Sequence, residues 1–369
     1  MISKKDFPKR QVHLDFHTSP DIPGIGSKFS KENFQAALKA GNLDSITVFA
    51  KCHHSMCYYP TKVGKMHPGL DPEFDFTGAM VDAAHEIGVR APVYITAGWS
   101  HDDVLEHPEW IMRDKEGNKL GRDDYEKIED LNEKKEYGGW CTLCLADGGG
   151  YTQHIYELTE EICQRYKNLD GLFYDICSIG EACYCESCRK GMKAEGIDFD
   201  DAAAVKDYLI RKRQAFFQKC IDILRKYHPD ATIFFNGCAH QYKEAYQNYH
   251  THYEMEDLPT AWGGYDKLPM RAKYFGKKGK GLIGMTGKFH LSWGEFGGFK
   301  LPEALKYEIA MMALYGAGGS VGDHMHPDGE MEMQTYEDIG YAYKYLEKIT
   351  PYCYGGELCA NIGIFLLKK

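Results

Sequence analysis

The sequence predicts a (β/α)8 barrel, in which eight parallel strands form a closed ring inside a layer of helices. Two observations predict it: segments typical of strands and of helices alternate strictly along the chain, and there are eight of each. Alternating strands and helices favour a parallel sheet, and eight repeats favour a closed barrel over a doubly wound sheet. The length of 369 residues is compatible with one such domain.

The predicted strands are short runs rich in β-branched and aromatic residues. They cover residues 11–16, 45–50, 90–97, 171–175, 232–236, 252–255, 281–286 and 318–321. The predicted helices cover residues 31–40, 76–87, 151–166, 205–227, 242–249, 267–277, 302–316 and 334–349. Ser30 is placed to cap the first helix, and Pro302 to occupy the first turn of the seventh.

Residues 1–352 are expected to form the catalytic barrel, and residues 353–369 to begin a following domain. The second expectation comes from residues 362–367, which resemble a buried strand with no partner element after it. The longest loops follow the third and fourth strands. The charged run at 113–136 in the first of these loops is expected to be a solvated surface segment.

Composition excludes several classes of protein. A chain that is 43% hydrophobic and 27% charged is globular rather than disordered or collagen-like. The net charge of −10 disfavours a nucleic-acid partner, and no run reaches the roughly 18–20 apolar residues of a membrane span. The N-terminus lacks an apolar signal segment and the 13 cysteines fit reduced thiols, so we expect a cytoplasmic protein.

Polar and aromatic residues follow nearly every predicted strand. In a (β/α)8 barrel the active site lies at these carboxyl ends, and packing alone would favour branched apolar residues there. We therefore predict a polar pocket suited to a sugar. Its candidate substrate-binding residues are His17, His53, His54, Trp99, Asn236, Trp262, His290, Trp293 and Glu295.

Two carboxylates beside aromatic platforms are typical of glycoside hydrolysis. Asp175 directly follows the apolar fourth strand and is the predicted nucleophile. Glu256 and Glu254 are the predicted acid/base candidates, since they lie two apart on one strand and so share a face. When two carboxylates lie so close together, the pKa of one of them is raised, which suits a proton donor. Glu295, in a glycine-rich loop, is the third choice.

Four cysteines have the spacing of a metal site: Cys144, Cys183, Cys185 and Cys188. Adjacent loops can meet above the barrel, so these thiolates would form a closed tetrahedral site for a structural zinc ion. Cys177 is an alternative fourth ligand, and reduced thiols without a metal are the alternative to zinc. No cofactor is expected for catalysis.

Three resemblances extend this interpretation. The segment from Phe49 to His54 resembles the Ala-Lys-His-His stretch of family 29 α-L-fucosidases, although Ser55-Met56 stands where that family has Asp-Gly. The resemblance implies that His53 and His54 contact fucose hydroxyls and that Asp175 is the nucleophile.

A longer resemblance, over nearly the whole chain, is to a bacterial group related to family 151 α-L-fucosidases, called hypothetical glycosyl hydrolase 6. It is carried by segments such as Gln11 to His17, Asp170 to Asp175, Glu254 to Pro259 and Ser292 to Gly297. Members of this group usually continue into further domains. The cysteine pattern is similar to the zinc site of family 42 β-galactosidases.

The leading hypothesis is a retaining exo-glycosidase of α-L-fucosidase type that acts on carbohydrate, and an oligomer of identical chains is left open. A β-galactosidase-like or α-L-arabinosidase enzyme is the nearest alternative. A catalytically silent carbohydrate-binding barrel is an alternative from a different class. A metal-dependent hydrolase using His53, His54, Asp323 and His326 is disfavoured, because adjacent residues on a strand face opposite ways.

Overall fold

The computed structural model describes residues 7–121, 140–356 and 363. Ten strands lie in this part of the chain. Eight form the barrel: β1 (Arg10–Asp15), β2 (Ser45–Lys51), β5 (Val93–Thr96), β6 (Gly171–Asp175), β7 (Thr232–Phe235), β8 (His252–Glu256), β9 (Gly281–Gly287) and β10 (Gly318–His324). The two-residue strands β3 (Met56–Cys57) and β4 (Lys65–Met66) extend from β2 outside the ring.

The barrel strands pair in parallel in the order β7-β6-β5-β2-β1-β10-β9-β8. Between β7 and β8 the ring is bridged by the N–H of Thr251, which donates to the carbonyl of Ile233 at 3.0 Å. The predicted (β/α)8 barrel is therefore confirmed. β2, β9 and β10 are buried along their whole length, as expected for strands covered on both faces.

Nine α-helices lie in the described ranges. They are α1 (Lys31–Ala40), α2 (Phe76–His85), α3 (His101–Glu106), α4 (Tyr151–Arg165), α5 (Glu186–Ala194), α6 (Ala202–Tyr227), α7 (Lys267–Gly276), α8 (Pro302–Leu314) and α9 (Met333–Cys353). Ser30 caps α1 as predicted, accepting from the N–H of Asn33 at 3.3 Å, and Pro302 opens α8. The predicted helix at 242–249 is wrong in type, because Glu244–Tyr249 is a 3-10 helix.

The type of that helix follows from its tertiary contacts. The side chain of Gln214 on α6 donates to the carbonyl of Ala245, and the side chain of Gln247 donates to the carbonyl of His240. These contacts hold a short segment that is too brief for stable α-helical turns. The sequence analysis did not predict α3 or α5, which lie in the long loops after β5 and β6.

The barrel interior is filled in layers by side chains that point inward from alternate positions. Gln11, Glu254 and Ser320 form a lower layer, in which Gln11 donates to Glu254 at 3.2 Å. His13 lies above them among aromatic rings, with its ring centre 5.0 Å from that of Phe173. The layer nearest the carboxyl ends of the strands carries acids and is open to solvent.

Two sequence expectations fall mainly outside the described residues: the strand at 362–367 and most of the charged run at 113–136. None of the helices in the described ranges combines the length and apolar character that a bilayer span would need.

Candidate active site

A cavity of about 600 Å³ opens at the carboxyl ends of the barrel strands. Seven of the nine predicted substrate-binding residues line it, as do Asp175 and Glu256. The full lining is His13, Asp15, His17, His53, His54, Trp99, Trp140, Phe173, Asp175, Ile176, Asn236, Glu256, Trp262, Met285, Ser292, Trp293, Gly294 and Phe296. Acids, imidazoles and large aromatic rings thus share one concave site, and such a combination of apolar and polar groups is typical of small-molecule pockets.

The centre of the cavity holds a pair of carboxylates joined by one amide. The Nδ2 of Asn236, just after β7, donates to Oδ1 of Asp175 at 2.8 Å and to Oε2 of Glu256 at 2.8 Å. Two such bonds from one nitrogen keep the two carboxylate oxygens within about 5.6 Å of each other. Three consecutive barrel strands, β6, β7 and β8, therefore supply the two acids and the group that spaces them.

Asp175 is fixed by two further donors. The hydroxyl of Tyr94 on β5 donates to Oδ2 at 2.6 Å, and the backbone N–H of Ile176 donates to Oδ1 at 2.8 Å. The Tyr94 ring is itself stacked on Phe49, with centroids 3.7 Å apart. These contacts hold the carboxylate in one orientation facing the cavity.

The turn after β6 has unusual backbone geometry. Ile176 adopts φ 59°, a left-handed conformation that a β-branched residue rarely takes. Its carbonyl oxygen lies against Gly98, where any Cβ would overlap it. A glycine after β5 therefore permits the turn that directs the Ile176 N–H onto Asp175.

Glu256 is held by two donors inside the cavity. The indole N–H of Trp293 donates to Oε1 at 2.8 Å, while Asn236 holds Oε2. Burial, followed by the negative charge of Asp175, raises the pKa of Glu256 above its usual range, although the Asn236 and Trp293 donors oppose the shift. A carboxyl with a raised pKa next to an acid in a polar network is the arrangement that separates a proton donor from a nucleophile.

A histidine pair forms the wall next to Asp175. His17 and His53 stack with centroids 3.9 Å apart. The Nε2 of His17 lies 3.1 Å from Oδ1 of Asp15, and its Nδ1 accepts the backbone N–H of His53. His53 Nδ1 contacts Thr96 at 2.6 Å, and its Nε2 lies 3.7 Å from Oδ2 of Asp175. Both imidazoles are thus oriented by neighbours.

Three of the predicted residues do not line the cavity. Glu254 lies one layer lower, where His252 contacts it at 3.0 Å. Glu295 accepts the backbone N–H groups of His290 and Leu291, at 2.7 and 2.6 Å, and these bonds lower its pKa. His290 contacts the carbonyl of Phe299 at 3.0 Å. Glu295 and His290 therefore stabilise their own loop.

Among the lining or supporting residues that the sequence analysis missed, four have large or titratable side chains close to the two acids or at the cavity mouth: His13, Tyr94, Trp140 and Phe296. Tyr94 lies inside a strand rather than at its end, and Trp140 follows a long charged run, so neither position marked a site. His13 lies at the cavity floor, and its Nδ1 is buried with no hydrogen-bond partner among the described residues. Phe296 lies in the glycine-rich loop, where alternation gives no orientation.

The four predicted cysteines come together in the structure. All are buried, and their sulfur atoms lie within 4.8 Å of one another. The Sγ atoms of Cys144 and Cys188 are 3.5 Å apart. Four thiolates around zinc, each about 2.3 Å from the ion, would have similar spacing, so the residues fit a metal. Cys177 is not in this group.

Known proteins resemble this chain in sequence and in fold. Residues 30–176 match the model of the family described as hypothetical glycosyl hydrolase 6. Among solved structures, α-L-fucosidase isoenzyme 2 from Paenibacillus thiaminolyticus is similar, with 40% identity and a TM-score of 0.86 over 95% of this chain and 51% of that protein. The chain thus spans about half the length of that relative. No curated protein matches this chain.

More distant structures share the fold. An α-L-fucosidase GH29 from Bacteroides thetaiotaomicron has 12% identity and a TM-score of 0.54, over 90% of this chain and 62% of that one. The α-L-fucosidase AlfC from Lactobacillus casei, in complex with α-L-fucose, has 11% identity and a TM-score of 0.50, over 89% and 82%. The predicted resemblance of this chain to the hypothetical glycosyl hydrolase 6 group and to α-L-fucosidases is therefore confirmed.

Proposed function

We propose that this chain is a glycoside hydrolase that removes α-L-fucose with retention of configuration. The observation that carries the proposal is the pair Asp175 and Glu256, spaced by Asn236 within the cavity. Retaining enzymes hold their two carboxyl groups about 5–5.5 Å apart, whereas inverting enzymes need about 6.5–9.5 Å to admit a water molecule. The similarity to a fucosidase over 95% of the chain supports fucose as the sugar.

In this mechanism Asp175 attacks the anomeric carbon and forms a glycosyl-enzyme ester. Glu256 gives its proton to the leaving oxygen in the same step. It then removes a proton from the water that cleaves the ester, so the configuration is retained. The raised pKa of Glu256 favours the protonated form that the first step needs, and the donors on Asp175 hold the attacking oxygen in place.

The wall next to Asp175 would bind the ring hydroxyls of the sugar. His17 and His53 offer oriented imidazole nitrogens, and the neighbouring His54 stands against Trp140, with ring centroids 4.7 Å apart. Rings such as Trp99 and Trp140 offer apolar faces to the C–H groups and the methyl of fucose.

The test uses p-nitrophenyl glycosides of α-L-fucose, β-D-galactose and α-L-arabinose. We expect the wild-type chain to release p-nitrophenol from the fucoside and Asp175→Ala to release none while remaining folded. Proton NMR of the first product should show α-L-fucose before mutarotation. Full activity of Asp175→Ala, or a first product of β configuration, would contradict the mechanism.

A β-galactosidase-like enzyme is the second candidate, and the cysteine cluster favours it. Its cysteines have the spacing of the zinc site of family 42 β-galactosidases, and they meet in space. Preferential release from the galactoside would favour this candidate over the fucosidase.

We also propose that Cys144, Cys183, Cys185 and Cys188 hold a structural zinc ion. A bound zinc would supply cross-linking between the loops after β5 and β6, and four thiolates leave no open position for a substrate or water. Cys144 is four residues from Trp140, so the cluster would fix one wall of the cavity without taking part in the chemistry.

A further inference from the structure

We propose that the side of the cavity next to Glu256 is a leaving-group subsite, which binds an uncharged sugar ring against Trp262 and Phe296. This inference rests on the proposed function and specifies its substrate as a fucosyl glycan rather than a simple fucoside.

The position of the leaving group follows from the chemistry of the acid. Glu256 must lie within hydrogen-bond reach of the oxygen that it protonates. The leaving group therefore extends from Glu256, away from Asp175 and the histidine pair. The elements around it are the π-helix Pro259–Gly263, which begins three residues after the end of β8, and the loop after β9.

The two sides of the cavity differ in chemistry. The Asp175 side carries the stacked imidazoles of His17 and His53, with Nε2 of His53 3.7 Å from Oδ2 of Asp175. Beyond Glu256, the lining on the other side is Trp262, Met285, Ser292, Trp293, Gly294 and Phe296. None of these six carries a charge, so that side favours a neutral group with an apolar face.

Two rings at the mouth are unusually exposed for cavity residues. Trp262 is 47% exposed and Phe296 is 59% exposed, although both belong to the lining. The free surface of such rings is the part that a ligand would cover. The exposure is local to the Glu256 side, since Trp99 and Trp140 on the other side stand against His53.

The ring of Phe296 is held in place by neighbouring side chains. Its ring stacks on His324 at the end of β10, with centroids 4.6 Å apart and an interplanar angle of 29°. His324 in turn contacts the ring of Phe289, with centroids 4.8 Å apart, and the carbonyl of Trp293. One face of Phe296 is therefore braced by the barrel, which leaves the other face for a ligand.

A sugar ring fits this side better than a charged or purely aliphatic group. Pyranose rings present an apolar C–H face that stacks on an aromatic ring, and hydroxyls at their edge. The side offers both kinds of partner, since Ser292 lies between the aromatic residues in the lining.

The experiment compares substrates that differ only in the leaving group. Wild type and Phe296→Ala are assayed with α-L-fucosyl fluoride, p-nitrophenyl α-L-fucoside, and α-L-fucosyl disaccharides of galactose and of N-acetylglucosamine. We expect Phe296→Ala to lower kcat/KM for the best disaccharide about 5- to 10-fold, mainly through KM. For the fluoride, which has no ring to stack, the change should stay within about 2-fold.

Controls separate a lost platform from a disturbed loop. Leu291 is 69% exposed in the same loop and does not line the cavity. Leu291→Ala should therefore leave kcat/KM unchanged for both the fluoride and the disaccharide. Phe296→Tyr, which keeps the ring, should retain the disaccharide rate. An equal loss on fluoride and disaccharide, or a larger loss on the p-nitrophenyl fucoside than on any disaccharide, would overturn the inference.

A binding measurement keeps the inference independent of turnover. In Asp175→Ala, calorimetry should show that a fucosyl disaccharide binds more tightly than fucose and that Phe296→Ala removes the difference. No turnover of any fucoside by wild type would contradict the proposed function. Equal affinity for disaccharide and monosaccharide would contradict the subsite.

Discussion

Glu254 and Glu256 lie on the same strand, face the same way and are separated by one residue, yet their surroundings are opposite. Glu254 is 4% exposed and receives contacts from Gln11 and His252 in the lower layer of the barrel. Glu256 reaches the cavity, where Asn236 and Trp293 hold it beside Asp175.

The difference shows that alternation along a strand predicts which way a side chain points, but not how deep in the barrel it lies. Two residues advance a strand by about 6.6 Å, roughly one layer of side chains in the barrel. The lower layer is closed and polar groups there pair with each other, while the upper layer leaves them for a substrate. Chemistry is therefore expected only from the upper carboxylates.

The largest effect should follow from the loss of the proposed nucleophile. We expect Asp175→Ala to lower kcat about 10⁴-fold or more, with little change in melting temperature, because the side chain faces the cavity. Added azide should restore turnover of an activated fucoside and yield a fucosyl azide, measured by mass spectrometry. Unchanged turnover would remove Asp175 from the upper-layer chemistry.

A paired substitution tests the comparison itself. Glu256→Gln should lower kcat/KM for disaccharides about 10²- to 10⁴-fold and affect fucosyl fluoride far less, since fluoride needs little proton assistance. Glu254→Gln should leave kcat within about 3-fold but lower the free energy of unfolding by about 1–3 kcal/mol, because an amide would confront donors inside the barrel. Both quantities are measured by steady-state kinetics and denaturant unfolding.

The reverse result would invert the comparison. If Glu254→Gln abolished turnover at unchanged stability while Glu256→Gln stayed active, the acid would lie in the lower layer.

Metal removal should destabilise the end of the barrel where the cavity opens more than the opposite end. We expect one zinc per chain by elemental analysis. In Cys144→Ser we expect the melting temperature to fall by at least about 5 °C and KM to rise, since Trp140 lies on the tethered loop. Cys353→Ser, outside the cluster, is the matched control. A metal-free chain with the same melting temperature would show that the cysteines are reduced thiols.

The smallest effect concerns the pH profile. The Trp293 N–H opposes the burial that raises the pKa of Glu256. Trp293→Phe removes that donor, so the pKa should rise further and Glu256 should stay protonated to higher pH. The alkaline limb of kcat/KM should then move to higher pH, while the acid limb remains in place. A shift to lower pH would show that another group sets the alkaline limb.

Sequence reasoning reached the fold and much of the site because both depend on strand order. All eight barrel strands were predicted, and Asp175, Asn236 and Glu256 were found simply as residues at strand ends. Alternation and chain order are local properties, and a parallel barrel converts them into shared location.

The remaining residues depend on distances that a sequence does not contain. Tyr94 reaches Asp175 because its side chain is long enough to cross a layer. Trp140 is brought in where its loop pairs with the chain after β5, as in the bridge between Trp99 and Thr142. Glu295 does not line the cavity, because a carboxylate in a loop can bind that loop's own N–H groups, and no periodicity predicts this.

The left-handed turn at Ile176 implies a compromise between the stability of the fold and the positioning of the Asp175 carboxylate. Holding a β-branched residue at φ 59° costs about 1–3 kcal/mol, yet that conformation directs the backbone N–H onto the carboxylate of Asp175. A glycine at this position would adopt the turn without penalty, and also leave it easily. Selection for a more stable protein and selection for a more firmly held carboxylate would therefore favour different residues at the position that follows Asp175.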